Sequence, residues 1–346
     1  MPVVWDKLRL IGVNMNHLKE TLKDFQGCIS IKRKGSTVFE QAFGYSDLSN
    51  RVLNTLDTRF GTASAGKVFV AVGILKLIEE GKLHFEDTIG ELLDFELNHI
   101  DPLVTVEQLL NHTSGIPDYF DESIMEEYSD LWRDYPNYKI RTSRDLLPLF
   151  INKPMIYQRG EKFQYNNSGY VMLGLIIESI TKVSFDSYLA DVIFKPGNMA
   201  HTGYYELDRL PTGCANAYLY DQVKEEYYTN IYSVDVKGTG AGGAYTTVGD
   251  IELFWNRLLG YKLLSEEMTN KMLRLQSTNY ENEHYGYGIW LKKMDGYYVP
   301  YIQGCDPGVS FISSYDREEE VLTTLVSNFW NNVWKLNREL KWQDFI

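Results

Sequence analysis

The sequence predicts an α/β (α+β) fold in which one antiparallel sheet, flanked by helices, is built from both chain ends and carries a mostly helical insertion. Three observations predict it. Strand-like alternation clusters near the start of the chain and again near its end. Between about residues 82 and 200 the pattern is mostly helical and carries capping signals. A helix beginning at Ser64 is apolar almost all the way round, as a buried helix must be. The corresponding division gives a sheet portion at 1–80 and 240–346 and a mainly helical region at 81–239, joined as one unit with its site between them.

The elements follow in order. Asn16 to Asp24 reads as a short amphipathic helix. Cys28 to Arg33 and Thr37 to Phe43 alternate like paired strands, with a turn at Lys34-Gly35-Ser36. The buried helix from Ser64 runs through Val68, Phe69, Val70, Ala71, Val72, Ile74, Leu75, Leu77 and Ile78 until Gly81 stops it. Thr105-Val106-Glu107-Gln108 is a capping box ahead of Leu109-Leu110, and Ser168 opens an apolar helix over Val171 to Ile180. Residues 215–232 are tyrosine-rich and strand-like, and Gly238-Thr239-Gly240-Ala241-Gly242-Gly243 is a loop making close backbone approaches. A helix starts near Thr247. Strands are expected over Tyr285 to Leu291, Tyr297 to Gln303, Val309 to Ser314 and Val321 to Val326, and a last helix from about Asn328 to Asp344.

With 346 residues the chain can bury a large core, and its 44% hydrophobic and 23% charged content is ordinary for a globular protein. A net charge of −13 with no basic stripe excludes nucleic acid as a partner. No apolar run approaches the roughly 20 residues that cross a bilayer. Met1 to Leu10 mixes charged and apolar residues without an apolar signal core, so the expectation is a cytoplasmic protein, with secretion open if a leader once preceded it. Cys28, Cys214 and Cys305 are odd in number and far apart, which fits a reducing compartment. Neither they nor the six scattered histidines have metal-ligand spacing, so no metal and no cofactor are expected. The oligomeric state is not encoded in any pattern found.

Ser64 and Lys67, three apart, share one helix face. The next charged residue, Lys76, comes nine positions later and points roughly opposite at about 100° per residue. Glu79 and Glu80 fall on the Lys76 side, so that stripe is the solvent face and Lys67 points inward. Burial favours the neutral amine, and a neutral amine beside a hydroxyl is a general base beside a nucleophile. The competing reading makes Ser64 a helix cap and Lys67 a side chain that snorkels to water. A second group, Tyr165 and Asn167, precedes a helix, where a phenol can relay a proton and an amide can bind a carbonyl or the lysine. A third, Tyr301-Ile302-Gln303-Gly304-Cys305, ends a strand, where a glycine admits a substrate backbone and the Cys305 amide can face an oxyanion.

Together these stretches resemble the serine β-lactamase and penicillin-binding-protein family. The branch is that of class C β-lactamases, D-alanyl-D-alanine carboxypeptidases, D-aminopeptidases and related esterases. Leu109-Leu110-Asn111-His112-Thr113-Ser114-Gly115-Ile116-Pro117-Asp118-Tyr119, Gly240 to Gly243, Tyr285 to Gly288 and Asp306-Pro307-Gly308 extend the likeness over about residues 20–330. The resemblance implies a β-lactamase/transpeptidase-like fold and a serine hydrolase forming an acyl-enzyme at Ser64. In it Lys67 is the base, Tyr165 the proton relay and Asn167 the residue orienting the acyl group. Gln303, Gly304 and Cys305 line the substrate, and the Ser64 and Cys305 amides hold the oxyanion. His112 is read as structural. One position departs from the pattern: Ile302 stands where most members carry lysine or histidine, with Lys292 or Lys293 as possible substitutes. Without that cation the grip on a substrate carboxylate weakens, which ranks ester or D-amino-acid amide hydrolysis first. Weak β-lactam hydrolysis or slow acylation of a D,D-peptidase by penicillin comes second. The expected partner is a small molecule or short peptide. A non-catalytic ligand-sensing protein on the same fold is the reading from another class.

Overall fold

Alternation in the early chain folds into a hairpin, β1 (Gly27–Arg33) against β2 (Ser36–Phe43). Lys34 and Gly35 both take positive φ, 50° and 71°, a tight-turn backbone whose twist suits antiparallel strands. The tyrosine-rich stretch forms a separate hairpin, β3 (Tyr218–Asp221) and β4 (Glu226–Thr229). Six further strands follow: β5 (Ser277–Thr278), β6 (His284–Tyr285), β7 (Trp290–Lys293), β8 (Tyr298–Asp306), β9 (Val309–Asp316) and β10 (Val321–Ser327). The order β2-β1-β10-β9-β8-β7-β6-β5 makes one eight-stranded antiparallel sheet, in which Cys28 of β1 stands opposite Val326 of β10. Both chain ends therefore build the sheet, as the alternation predicts. This computed structural model describes residues 20–122, 124–279, 283–340 and 343.

Each face of the sheet buries a different partner. Cys28, Ile302, Phe311 and Val326 point to one side and pack in the main core with the apolar helix α1 (Lys67–Glu79). Ile29, Ile31, Ile312 and Leu325 point to the other and meet Val333 and Leu336. In α1 every residue from Lys67 to Leu75 is buried, whereas Lys76 pairs with Glu79 at 3.9 Å on the half-exposed stripe. Each fully buried aliphatic or aromatic side chain contributes about 1.5–3 kcal/mol, so α1 is fixed by its surroundings more than by helix propensity. The capping box opens α2 (Val106–Leu110), with Gln108 N donating to Thr105 Oγ1 at 3.3 Å and Thr105 N to Gln108 Oε1 at 3.0 Å. Next come α3 (Asn167–Thr181), α4 (Val248–Leu259) and α5 (Val333–Glu339).

Three expectations are corrected. The strand expected over 285–291 is two short strands. Gly286 to Gly288 leave the ladder because Tyr287 N bonds Met272 O at 3.0 Å and Gly288, at φ +71°, bonds Leu110 O. The helix at 171–180 is capped by Asn166, whose Oδ1 accepts from Gly169 N at 2.7 Å, and not by Ser168, which lies inside it. The last helix starts only at Val333, behind Trp330 at φ +55°. The helix expected at 16–24 lies largely outside the described residues. Among the described residues no single helix is long and apolar enough to cross a membrane.

Strand β8 presses on the start of α1. A Cβ at Gly304 would stand 2.2 Å from Thr62 O, 2.6 Å from Ser64 N and 2.7 Å from Ala65 N, all backbone atoms that cannot rotate away. Gly304→Ala should therefore cost about 1–3 kcal/mol in denaturant unfolding and displace Ser64; an unchanged unfolding midpoint would contradict this contact.

Candidate active site

Ser64 occupies a 3₁₀ turn, Ala63–Gly66, that leads into α1. Ala63 sits at φ +47°, a backbone state rare for alanine and held here by its neighbours. Gly243 N donates to Ala63 O at 3.0 Å, and Thr62 N to Ala244 O at 2.8 Å. A Cβ at Gly242 would meet Ala63 O at 2.4 Å, so the glycine loop does make the close approach its composition predicts. Ser64 itself lines a cavity together with Asn167, Ala241, Cys305 and Asp306.

Lys67 is 2% exposed. Its Nζ lies 2.9 Å from Ser64 Oγ, 2.8 Å from Asn167 Oδ1 and 2.5 Å from the Ala241 carbonyl. Burial pushes its pKa down to about 8, opposed by the negative charges of Asp118, Glu122, Asp306 and Asp235. The Tyr165 hydroxyl bonds Ser64, and burial holds this phenol well above its ordinary range, hence neutral. The Tyr165 ring lies 4.9 Å from Lys67 Nζ and stacks on Trp290 at 5.6 Å. Asn167 is the first residue of α3, placed by the Asn166 cap, and Asn166 N donates to His112 Nδ1 at 3.1 Å. His112 is 1% exposed, burial keeps its pKa well below the usual value, and its Nε2 has no partner among the described residues. It supports the backbone between Tyr165 and Asn167.

The third predicted group divides by strand alternation. Gly304 faces Ser64, Ile302 is 2% exposed in the core beneath it, and Cys305 reaches the cavity. Gln303 points to the opposite face, where Trp334 Nε1 donates to its Oε1 at 2.7 Å, so its side chain is not brought to the cavity. Lys292 and Lys293 are exposed and pair with Val299 and Tyr298, about 10 Å or more along the strand from Ile302. Neither lines the cavity.

A model of the Beta-lactamase family matches residues 22–339. The chain belongs to that family. Putative penicillin-binding protein PbpX of Bacillus subtilis (strain 168) is 28% identical over 318 residues, which are 92% of this chain and 73% of that protein. Some curated relatives match only in part, over 179 residues that are 51% of this chain and 34% of theirs. The crystal structure of a penicillin binding protein from Bacillus halodurans superposes with a TM-score of 0.88 at 35% identity, covering 93% of this chain and 98% of that one. That of a D-amino acid amidase from Ochrobactrum anthropi SV3 gives 0.76 at 23% identity over 95% and 96%, a likeness of fold.

Within this Beta-lactamase fold, sequence reasoning missed much of the site's charge. Glu122, Asp235 and Asp306 line the cavity, while no lysine, arginine or histidine lines it among the described residues. Burial raises Asp235 to about 6 and Asp306 to about 8, each further lifted or restrained by its charged neighbours. No local pattern marks these three acids, because only the tertiary fold gathers them. Asp118, by contrast, stands in the Leu109–Tyr119 stretch that the resemblance singled out. Among the described residues no group of His, Cys, Asp and Glu is arranged to hold a metal ion.

A base with a pKa of about 8 is neutral only above that pH. Acylation of Ser64 by an activated ester should therefore rise about tenfold per pH unit up to pH 8 and then level off. Stopped-time intact-mass measurements check this; a rate independent of pH would exclude Lys67 as the base.

Proposed function

We propose that this chain is a serine hydrolase that forms an acyl-enzyme at Ser64, and that its acyl donors are esters or amides bearing a cationic amino group, D-amino-acid amides and esters being representative. The observation that carries the reading is the buried Lys67 Nζ 2.9 Å from Ser64 Oγ. Asn167 Oδ1 and the Ala241 carbonyl can only accept, so a neutral amine gives them its two N–H groups and keeps its lone pair for the Ser64 proton. Ser64 Oγ then attacks the carbonyl carbon as Lys67 takes the proton. The Ser64 and Cys305 amides stabilise the oxyanion, where one such donor is worth about 10²–10³ in rate. Tyr165 passes a proton to the departing alcohol or amine, the acyl group stays on Ser64 Oγ, and water releases it as the acid. In this reading the sheet portion and the helical region act as one catalytic unit.

The lining supports the choice of substrate. Ile302 removes the cation that would anchor a carboxylate, and Glu122 and Asp235, joined by Asp306 as it ionises toward pH 8, supply the opposite charge. A charge-assisted hydrogen bond to an ammonium contributes about 1.5–3 kcal/mol, or about tenfold to a hundredfold in binding. The same lining disfavours β-lactams and D,D-peptides, whose carboxylates would meet three acids.

The test compares activated esters of D-alanine with free and with N-acetylated amines. Wild type should add the acyl mass to Ser64, turn the ester over, and favour the free amine by about tenfold or more. Ser64→Ala should abolish both adduct and turnover; adduct formation that survives it would refute the hydrolase reading. Asp306→Asn should shrink the ratio of free-amine to acetylated rates. In wild type that ratio should grow as pH rises toward 8, since the Asp306 carboxyl, raised to about 8, ionises there. The ratio cancels the contribution of Lys67, which both substrates share.

A further inference from the structure

Asp118 takes no part in the steps above, yet it is buried at 6% exposure directly behind them. Its Oδ2 accepts from Asn167 N at 2.8 Å and from Asn167 Nδ2 at 3.2 Å. Its Oδ1 accepts from Ser168 N at 3.1 Å, Ser168 Oγ at 3.2 Å and Phe120 N at 3.4 Å. Among the described residues no basic side chain pairs with the carboxylate: Lys153 Nζ reaches the Asp118 backbone carbonyl instead, at 3.2 Å. A buried anion without a counter-ion costs several kcal/mol, and the cation nearest in this network is Lys67, on the far side of the Asn167 amide. That amide has one donating and one accepting end. Asp118 engages the donating end, which turns the oxygen onto Lys67 Nζ at 2.8 Å.

We propose that Asp118 is a positioning residue for the base: through the Asn167 amide it fixes the acceptor on Lys67, and its negative charge sets how readily Lys67 releases its proton. The inference rests on reading Lys67 as the base of a Ser64 hydrolase. The electrostatics agree with the geometry. Asp118 is the largest of the charges holding the lysine's pKa up; Glu122, Asp306 and Asp235 act from the cavity side, the Tyr165 and Tyr170 rings flank the amine, and His112 stays neutral. Burial lifts Asp118 itself to about 6, so it is ionised where Lys67 titrates.

The experiment follows Ser64 acylation by the D-alanine ester against pH in wild type, Asp118→Asn and Ser168→Ala. Asp118→Asn removes the charge and leaves an amide facing donors, so acylation should slow by about tenfold to a hundredfold, as small misplacements of reacting groups do. Its acid limb should move to lower pH, because the lysine loses its strongest neighbouring anion. Ser168→Ala takes one donor from Oδ1 and an acceptor from Tyr119 N, and the side chain it removes bonds neither the Lys67 nor the Asn167 side chain. It leaves the carboxylate less compensated, so the limb should move to higher pH. A role confined to folding would change the yield of native protein and move neither limb. An Asp118→Asn protein that is native by circular dichroism, with its limb where wild type has it, overturns the proposal. Should that variant fail to fold, an unmoved limb in Ser168→Ala overturns it instead. Absence of any Ser64 adduct on wild type refutes the hydrolase reading and this inference with it, whereas an adduct with unmoved limbs refutes this inference alone.

Discussion

A lysine with 2% exposure must find acceptors for its amine, and the way Lys67 finds them organises the rest of the molecule. One acceptor is local, Ser64 on the preceding turn. The other two come from 100 and 174 residues away, Asn167 at the head of α3 and the Ala241 carbonyl in the glycine loop. Removing any of them leaves a polar group unpaired in a low-dielectric interior, a penalty of about 1–3 kcal/mol or more when charge is involved. Several otherwise separate features serve that single requirement. The glycine loop must come close enough to present a carbonyl, which is why Gly242 packs on Ala63 and Gly240 on Tyr170. The Asn166 cap must start α3 where it does, so that Asn167 projects toward the amine.

The same burial gives the site its chemistry. Water would hydrate an ammonium and keep it charged; the interior shifts it toward the neutral form, while the acids around it limit that shift. A cavity lined by Glu122, Asp235 and Asp306, with Ile302 beneath it, has its charge reversed relative to a site built to hold a carboxylate. Family membership shows the fold, and in the proposed reading Ser64, Lys67, Tyr165 and Asn167 carry the reaction while the lining selects what enters. The two need not change together, because the three acids come from 119–128, 230–238 and the end of β8, and none of the three hydrogen-bonds the Lys67 amine, which is held by Ser64, Asn167 and Ala241.

Much of the fold was legible because its elements carry strong local periods. The alternation of Cys28 to Phe43 and of Val309 to Val326 is a strand pattern, and each segment folds as a pair of antiparallel strands, buried on both faces at the sheet's centre. The helix from Ser64 is apolar almost all round, and it is buried except along the Lys76 and Glu79 stripe. Where the reading slipped, a tertiary bond outweighed the local pattern. Tyr287 and Gly288 bond Met272 and Leu110, breaking a strand whose sequence runs on, and Asn166 takes the cap that Ser168 was expected to provide because His112 and Ile116 hold it in place.

The site was legible in the same measure. Spacing of three on a helix puts Ser64 beside Lys67 whatever the rest of the chain does, and the position of Lys76 and Glu79 tells which way Lys67 points. Sequence alone therefore pointed to Ser64 and Lys67 as a candidate nucleophile and base and to the inward direction of Lys67, which the structure shows buried. Strand alternation also fixes that Gln303 and Gly304 face opposite ways, but only the packed sheet decided that Gly304 meets Ser64 while Gln303 meets Trp334. Which acids line the cavity, and that Asp118 stands behind Asn167, were decided by the tertiary structure as well. The reason is physical: a helix or strand fixes neighbours over a few residues, whereas the field at a buried amine sums over every charge the fold brings near it.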